Sequence, residues 1–389
     1  MATSITPESA PNSEGKAPSE RLHLDYLDGI RALAAIYVIL GHAHLQVFPF
    51  FLSKQPTPLV KGLTFWVEFG HFAVSLFIVI SGFCLMLPVV RNRGEIKGGI
   101  STFFKRRAKR ILPPYYLSVG LSLLLIVLLV GQKTQTHWDL SIPVTLRGLI
   151  SHLLLYQNWE PFDVLPQINH AHWSIAVECQ IYLFFPLLVL LWKKIGAVRV
   201  TLLTTILSYA IAIPFYKVPD FRFVLACPHY LGLFSMGMLG ATIAHDPDLK
   251  WQRWRENRFW TPLALLMALG LVLGNILGGE AAFANEHWFD LVAGIGGMCL
   301  LIGAGQPGKN RVRRFLSWRP LVFVGGFSYS IYLIHAPLLQ IVWQYLLSPF
   351  RSNDGLNLFM LLVPGTALIV AISYLFYLAC ERPFLNARR

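Results

Sequence analysis

Ten apolar stretches, each about as long as a membrane-crossing helix, constrain this 389-residue chain more than any other feature of its sequence. Crossing about 30 Å of hydrocarbon requires roughly 20 helical residues. Because lipid offers no water to backbone polar groups, such stretches must be helical. The sequence therefore predicts an all-α membrane protein with about ten transmembrane helices. The predicted spans are residues 26–48, 66–90, 111–131, 174–192, 200–216, 223–244, 260–278, 287–305, 320–347 and 356–380.

The composition excludes a soluble globular protein. Hydrophobic residues make up 55% of the chain and charged residues 14%, against about 45–50% and 25% in soluble domains. The five cysteines all lie in apolar stretches and form no CxxC pair, so we expect neither a disulfide framework nor a zinc site. We predict one transmembrane domain at 23–384, between a disordered tail at 1–22 and a short tail at 385–389.

The distribution of basic residues predicts the orientation of the chain. Of the 33 Lys and Arg residues, 25 lie in the two tails and the loops on the same side, and 7 lie in the other connections. Cytoplasmic loops carry the excess of positive charge. We therefore predict a multi-pass protein of the cell membrane with cytoplasmic N- and C-termini. The net charge of +13 then reflects membrane orientation and lipid contact, and no nucleic-acid partner is expected.

Residues 141–159 are apolar but contain Arg147 and His152. Their apolar side chains recur at helical spacing, which favours an amphipathic helix on the outer membrane surface. If this segment crossed the membrane, every later loop would change sides and the charge pattern would fail.

Arg31 and His42, both in the first predicted span, project from the same helix face. They are eleven residues apart, about three turns, which separates them by roughly 16 Å along the axis. A charge near the bilayer centre costs at least about 2.5–3.5 kcal/mol, so such residues are functional candidates. This face suits an anionic ligand held by Arg31 whose reactive end reaches His42, a candidate general base. The alternatives are an ion pair between Arg31 and Asp28, and a purely structural His42.

Other polar side chains fall inside later spans, and we expect them to share a cavity. Glu178, His229 and Asp290 lie in the outer halves of their spans. On the ninth span Ser328, Tyr332 and His335, at i, i+4, i+7 spacing, form a polar stripe that reaches the outer half at His335. Hydrogen bonding between helices is the alternative, and it explains serine and tyrosine better than it explains Glu178.

A basic run precedes the third predicted span. Arg107 and Arg110 are three residues apart, so on a helix they lie on the same face and could bind a phosphate beside Arg31. The alternative is a topogenic run that contacts lipid headgroups. The sequence contains no glycine-rich nucleotide-binding loop, and His170 and His172 have no evident third ligand, so we predict no metal.

Six motifs in order give the chain a family resemblance over residues 24–383. They are LDGIRALA at 27–34 followed by His42, FIVISGF at 77–83, FKRRAKRILPPYY at 104–116, WSIAVE at 173–178 followed by Tyr182, SYSIYLIH at 328–335, and ERP at 381–383. With these motifs the chain resembles the acyltransferase-3 family of integral-membrane acyltransferases. It departs from the family in carrying Cys179 where relatives often have a second carboxylate beside Glu178, and we expect no C-terminal hydrolase-like domain.

The resemblance implies transfer of an acyl group, usually acetyl, from cytoplasmic acyl-CoA to an acceptor, often a sugar hydroxyl of a surface polysaccharide. Our hypothesis assigns the CoA phosphates or thioester to Arg31, Arg107 and Arg110, and deprotonation of the acceptor to His42. Glu178 or His335 would orient the imidazole or bind the acceptor. Further acceptor contacts are expected from Tyr182, Tyr332 and Trp173, although Trp173 could equally belong to the aromatic belt at the interface.

Several alternatives stay open at this level. A transporter or flippase of an anionic or acylated glycolipid would also need a polar intramembrane cavity, although we find no inverted repeat. An inactive acyl-CoA sensor and a two-step route through an acyl-enzyme on His42 or a cysteine are further options. Besides acyl-CoA and a glycosylated acceptor, the expected partner is membrane lipid. The oligomeric state is open, with a homodimer as one option.

Overall fold

The computed structural model describes residues 24–217, 226–306, 310–347 and 353–386. These residues form helices and connecting turns without a β-strand, which confirms the predicted all-α membrane class. The predicted tail at 1–22, the first residues of the predicted sixth span and the last three residues of the chain lie outside the described residues.

Most of the described residues belong to seventeen α-helices. They are α1 (Asp25–Val47), α2 (Pro58–Thr64), α3 (His71–Arg91), α4 (Gly99–Leu125), α5 (Leu146–Leu153), α6 (Trp173–Ile195), α7 (Ala197–Lys217), α8 (Tyr230–His245), α9 (Leu249–Arg255), α10 (Trp260–Ala284), α11 (Glu286–Gly305), α12 (Arg311–Leu316), α13 (Arg319–Gly325), α14 (Ser328–Ile341), α15 (Asp354–Met360), α16 (Thr366–Phe376) and α17 (Arg382–Asn386). Short 3₁₀ or π segments extend several of them, at Phe65–Phe69, Ile126–Val130, Val342–Leu346, Leu361–Gly365 and Tyr377–Glu381.

Among the described residues, eight helical stretches are long and apolar enough to cross a membrane, and a bent pair raises the number to nine. The count is lower than ten because α8, in the sixth predicted span, has only 16 helical residues, fewer than the roughly 20 that a crossing requires. The outward surfaces are apolar, as in α10, where Leu277 is 84% exposed. The protein is therefore a multi-pass membrane protein.

Residues 141–159 fold as the amphipathic interpretation predicts. Helix α5 has only eight residues and exposes Leu146 and Ile150 on one face. Its opposite face buries Ser151 and His152. Because eight residues rise only about 12 Å, this helix cannot cross the membrane.

The centre of the bundle depends on close backbone contact between α3 and α8. A Cβ atom on Gly82 would lie 2.0 Å from the carbonyl oxygen of Phe234, and one on Gly237 would lie 2.0 Å from that of Val79. Glycine at both positions therefore allows the two helix backbones to touch. Helix α1 packs beside this pair, against α3, α13 and α14.

The ninth predicted span is not one straight helix. Helix α13 and the stretch Ser328–Leu346 meet at an angle of 72°, with Gly326 and Phe327 between them. The break turns the N-terminus of α14 towards the interior of the bundle, where Ser328 lines a cavity.

Candidate active site

A cavity of about 470 Å³ lies between α1, α3, α4, α6 and α14. It brings together most of the polar residues that the sequence selected. The predicted site residues that line it are Arg31, Arg107, Arg110, Glu178, Tyr182 and Tyr332. These residues come from four helices, so the shared polar cavity is a property of the folded bundle.

Arg31 forms the predicted ion pair with Asp28 and also lines the cavity. Its Nη1 atom lies 2.7 Å from Oδ1 of Asp28, one turn earlier on α1. Its Nη2 atom lies 3.0 Å from Sγ of Cys84 on α3. The side chain is 23% exposed and still lines the cavity. The ion pair with Asp28 therefore holds the guanidinium at the cavity wall.

Arg107 and Arg110 reach the cavity because α4 begins earlier than the predicted third span. Helix α4 starts at Gly99 and passes through Pro113 and Pro114 without ending. Arg107 and Arg110 thus lie one turn apart on the same helix, and both line the cavity. The neighbouring Arg106 is exposed and donates to the carbonyl of Lys97 at 3.3 Å.

Glu178 accepts a hydrogen bond from the hydroxyl of Tyr182, one turn later on α6. Because the Tyr182 proton is committed to this carboxylate, Ser81 on α3 donates to the phenol oxygen at 2.7 Å. Glu178 is thereby held on the cavity wall, beside the arginines rather than beside His42.

The N-terminus of α14 adds a second feature that favours anions. Gly325, Gly326, Ser328 and Tyr329, at the break before this helix, all line the cavity. The first N–H groups of a helix have no partner within the helix, and its dipole is positive at that end. Together with three arginines, this end makes the cavity suitable for phosphate or carboxylate groups.

His42 lies beyond this cavity, against His335 on α14. Nδ1 of His335 lies 2.8 Å from the carbonyl oxygen of Tyr332, so this nitrogen carries the proton. In the neutral ring Nε2 then has a lone pair, and it lies 2.9 Å from Nδ1 of His42. His42 therefore donates through Nδ1 and keeps the lone pair of Nε2 available, as a general base requires.

Two more histidines complete a cluster with His42 that sequence reasoning missed. The His42 ring centroid lies 5.7 Å from that of His137 and 5.1 Å from that of His170. Nδ1 of His137 lies 3.2 Å from Nε2 of His170. Burial lowers the pKa of His137 to about 4, so this ring is neutral at physiological pH. His137 sits in a loop 95 positions after His42, and no local pattern in the sequence signals their contact.

Tyr332 separates the cavity from the histidine cluster and connects them. Its ring lines the cavity, and its centroid is 5.7 Å from that of His335. Its hydroxyl donates to the carbonyl of Ala171 at 2.8 Å, so Ser174 donates to the phenol oxygen at 2.6 Å. This pair of hydrogen bonds ties α14 to α6 between the two parts of the site.

Trp173 takes a different position from the one expected for a cavity residue. Its ring stacks on His71 with centroids 6.1 Å apart. His71 and His229 both contact Asp290, with His229 Nε2 at 2.9 Å from Oδ2 of the carboxylate. Trp173, His229 and Asp290 therefore belong to a second polar cluster, between α3, α8 and α11.

Comparisons with known proteins agree with the motifs. The sequence pattern of a family described as an acyltransferase domain matches residues 24–378. The O-acetyltransferase OatA of Staphylococcus aureus strain NCTC 8325 is 24% identical over 375 residues, which cover 91% of this chain and 56% of the relative. A putative O-acetyltransferase of S. aureus strain COL is 24% identical over 394 residues, covering 92% of this chain and 56% of the relative.

The chain thus spans about half the length of the curated relatives that it matches. No solved structure is similar enough to the chain to count as a match.

Proposed function

The chain belongs to the acyltransferase-3 family, and on that premise we propose that it is a membrane-embedded O-acyltransferase that uses acyl-CoA, most simply acetyl-CoA. The acceptor would be a hydroxyl of a carbohydrate or of a glycosylated molecule. The observation that carries this proposal is the pair of His42 and His335, placed directly beyond a cavity lined by three arginines. The names of the relatives support the acetyl group and the hydroxyl acceptor.

The cavity would hold the donor. Coenzyme A carries several phosphate charges, and Arg107 and Arg110 stand one turn apart on α4 to meet them. Arg31 and the N-terminus of α14 would bind charge deeper in the membrane. Under the proposed orientation this end of the cavity faces the cytoplasm, where acyl-CoA is made.

The reaction would occur where the pantetheine arm of acyl-CoA passes Tyr332 and its thioester reaches His42. The roughly 16 Å between Arg31 and His42 along α1 requires an extended ligand, which the long pantetheine arm of CoA provides. Tyr332 and Ser174 would therefore line the path of the thioester. Their shared hydrogen bond would place hydroxyl groups beside its carbonyl.

In the proposed step, Nε2 of His42 takes the proton of the acceptor hydroxyl while the oxygen attacks the thioester carbonyl carbon. The new C–O bond forms, the C–S bond breaks, and the imidazolium returns its proton to the CoA thiolate. The ester and free CoA leave with all atoms and charges balanced. His335 would stabilise the imidazolium by accepting the hydrogen bond from Nδ1 of His42.

The experiment is release of free CoA from acetyl-CoA by the purified protein, with and without a glycan extract of its host. We expect extract-stimulated release in the wild type and a loss of about 10²- to 10⁴-fold in His42→Gln. His44→Gln is the matched control, because His44 lies near Glu68 on another face of α1. Equal activity in the wild type and in His42→Gln would refute the role of His42. No release from any acyl-CoA would favour a transporter.

A further inference from the structure

We propose that His42, His137 and His170 form a binding site for a divalent transition-metal ion of the zinc class. One ring nitrogen of each histidine lies within 4.8 Å of those of the other two. Three histidines with a fourth position left open are a donor set that zinc accepts. The three residues come from α1 and from two parts of the segment between α4 and α6, so the site exists only in the folded chain.

The spacing of two of these nitrogens already fits a metal. Nδ1 of His137 and Nε2 of His170 are 3.2 Å apart. Two ligands of a tetrahedral zinc ion, each at 2.0–2.1 Å from it, lie about 3.3 Å from one another. A metal ion would thus replace the proton that these two nitrogens share. The third ligand atom, on His42, lies within 4.8 Å of the other two.

On His42 and His170, the nitrogen that would not bind metal is held by a neighbouring group. Nδ1 of His42 donates to His335, which leaves Nε2 as its free ligand atom. Nδ1 of His170 lies 3.1 Å from Oγ of Ser141, an acceptor that leaves Nε2 for the ion. Metal-binding histidines almost always have their second nitrogen fixed in this way.

Burial distinguishes this cluster from a chance group of surface histidines. His137 and His170 are 6% and 7% exposed, and His42 is half-buried. Neutral imidazole is the ligand form that zinc binds. Affinity for divalent ions at N-donor sites generally rises from Mn²⁺ to Cu²⁺ and falls again at Zn²⁺, and imidazole is a ligand that suits zinc.

The consequence for activity rests on the proposed function. Nε2 of His42 would be both the general base and a metal ligand, and a coordinated nitrogen has no lone pair for a proton. Metal binding and acyl transfer should therefore exclude each other, so that zinc acts as a reversible inhibitor of the transferase.

The test measures binding and activity separately on the full-length protein in detergent. Binding is followed by calorimetry with Zn²⁺ alone, and by the visible absorption of Co²⁺, whose intensity reports tetrahedral coordination. We expect one ion per chain, and affinity at least about tenfold weaker in His137→Phe and in His170→Phe. His44→Phe should bind as the wild type does. Thermal unfolding of each variant checks that it is folded.

Free CoA release by the wild type is then measured over buffered Zn²⁺ concentrations. We expect inhibition with the same midpoint as binding, and recovery after addition of a chelator. Absence of Zn²⁺ binding, or binding that both variants retain, would overturn the site. Stimulation of CoA release by Zn²⁺ would overturn the proposal that metal binding and acyl transfer exclude each other. Because the binding measurement needs no acyl-CoA, failure of the metal site and failure of the proposed function give different results.

Discussion

Replacing His335 with phenylalanine should slow acyl transfer without weakening donor binding. The substitution keeps a buried ring of similar size but removes the nitrogen that accepts from Nδ1 of His42 at 2.9 Å. In the proposed reaction His42 becomes an imidazolium, and a hydrogen bond to a charged group contributes about 1.5–3 kcal/mol. Since 1.36 kcal/mol corresponds to tenfold in rate, kcat should fall by about 10- to 150-fold.

The assay is steady-state CoA release at saturating acceptor, with kcat and KM for acetyl-CoA determined separately. His335→Gln is the matched variant, because its amide oxygen can still accept a hydrogen bond, and it should recover part of the lost rate. An unchanged kcat in His335→Phe would refute the positioning role. A KM for acetyl-CoA that rises as much as kcat falls would also refute it, because His335 would then be contributing to donor binding.

Three further predictions concern the cavity and the bundle. Arg107→Ala should weaken acyl-CoA binding, measured by calorimetric titration, about tenfold or more, because it removes a charge-assisted contact. Arg106 does not line the cavity, so Arg106→Ala should leave the affinity for acyl-CoA nearly unchanged. Tyr332→Phe should lower the unfolding temperature, because it leaves a buried carbonyl without its donor at a cost of about 1–3 kcal/mol; an unchanged melting curve would contradict this. Gly82→Ala should destabilise the bundle by about 1–3 kcal/mol, since its methyl would meet backbone 2.0 Å away, while Gly120→Ala, where nothing lies within 4 Å, should leave the melting temperature equal or higher.

The parts of the fold that could be predicted are those that depend on local sequence patterns. The length of an apolar stretch is enough to predict a helix where lipid surrounds it. Arg31 and His42 both lie on α1, as predicted, and their eleven-residue spacing predicts a shared helix face. The bend between α13 and α14 was not predicted, because Gly325 and Gly326 alone do not indicate a break within a span that is mainly apolar. The short α8 was missed for a similar reason, since hydropathy does not show where a helix begins.

The candidate site could be predicted only in part. Polar residues inside apolar segments are visible in the sequence because lipid makes them costly, and most of those selected line one cavity. The contact of His42 with His137 and His170 depends on how a long loop folds back onto α1. The position of Trp173 against His71 depends likewise on the packing of α6 beside α3. Such contacts arise from tertiary packing, which periodicity does not encode.

The most direct test of the central claim measures donor binding and turnover in the same preparation of His42→Ala. The cavity that would hold acyl-CoA and the histidine that would act as base are separate parts of the site. We therefore expect the dissociation constant for acetyl-CoA to stay within about twofold of the wild type, while turnover falls by about 10²- to 10⁴-fold. Turnover close to that of the wild type, or a loss of donor binding as large as the loss of turnover, would contradict the account.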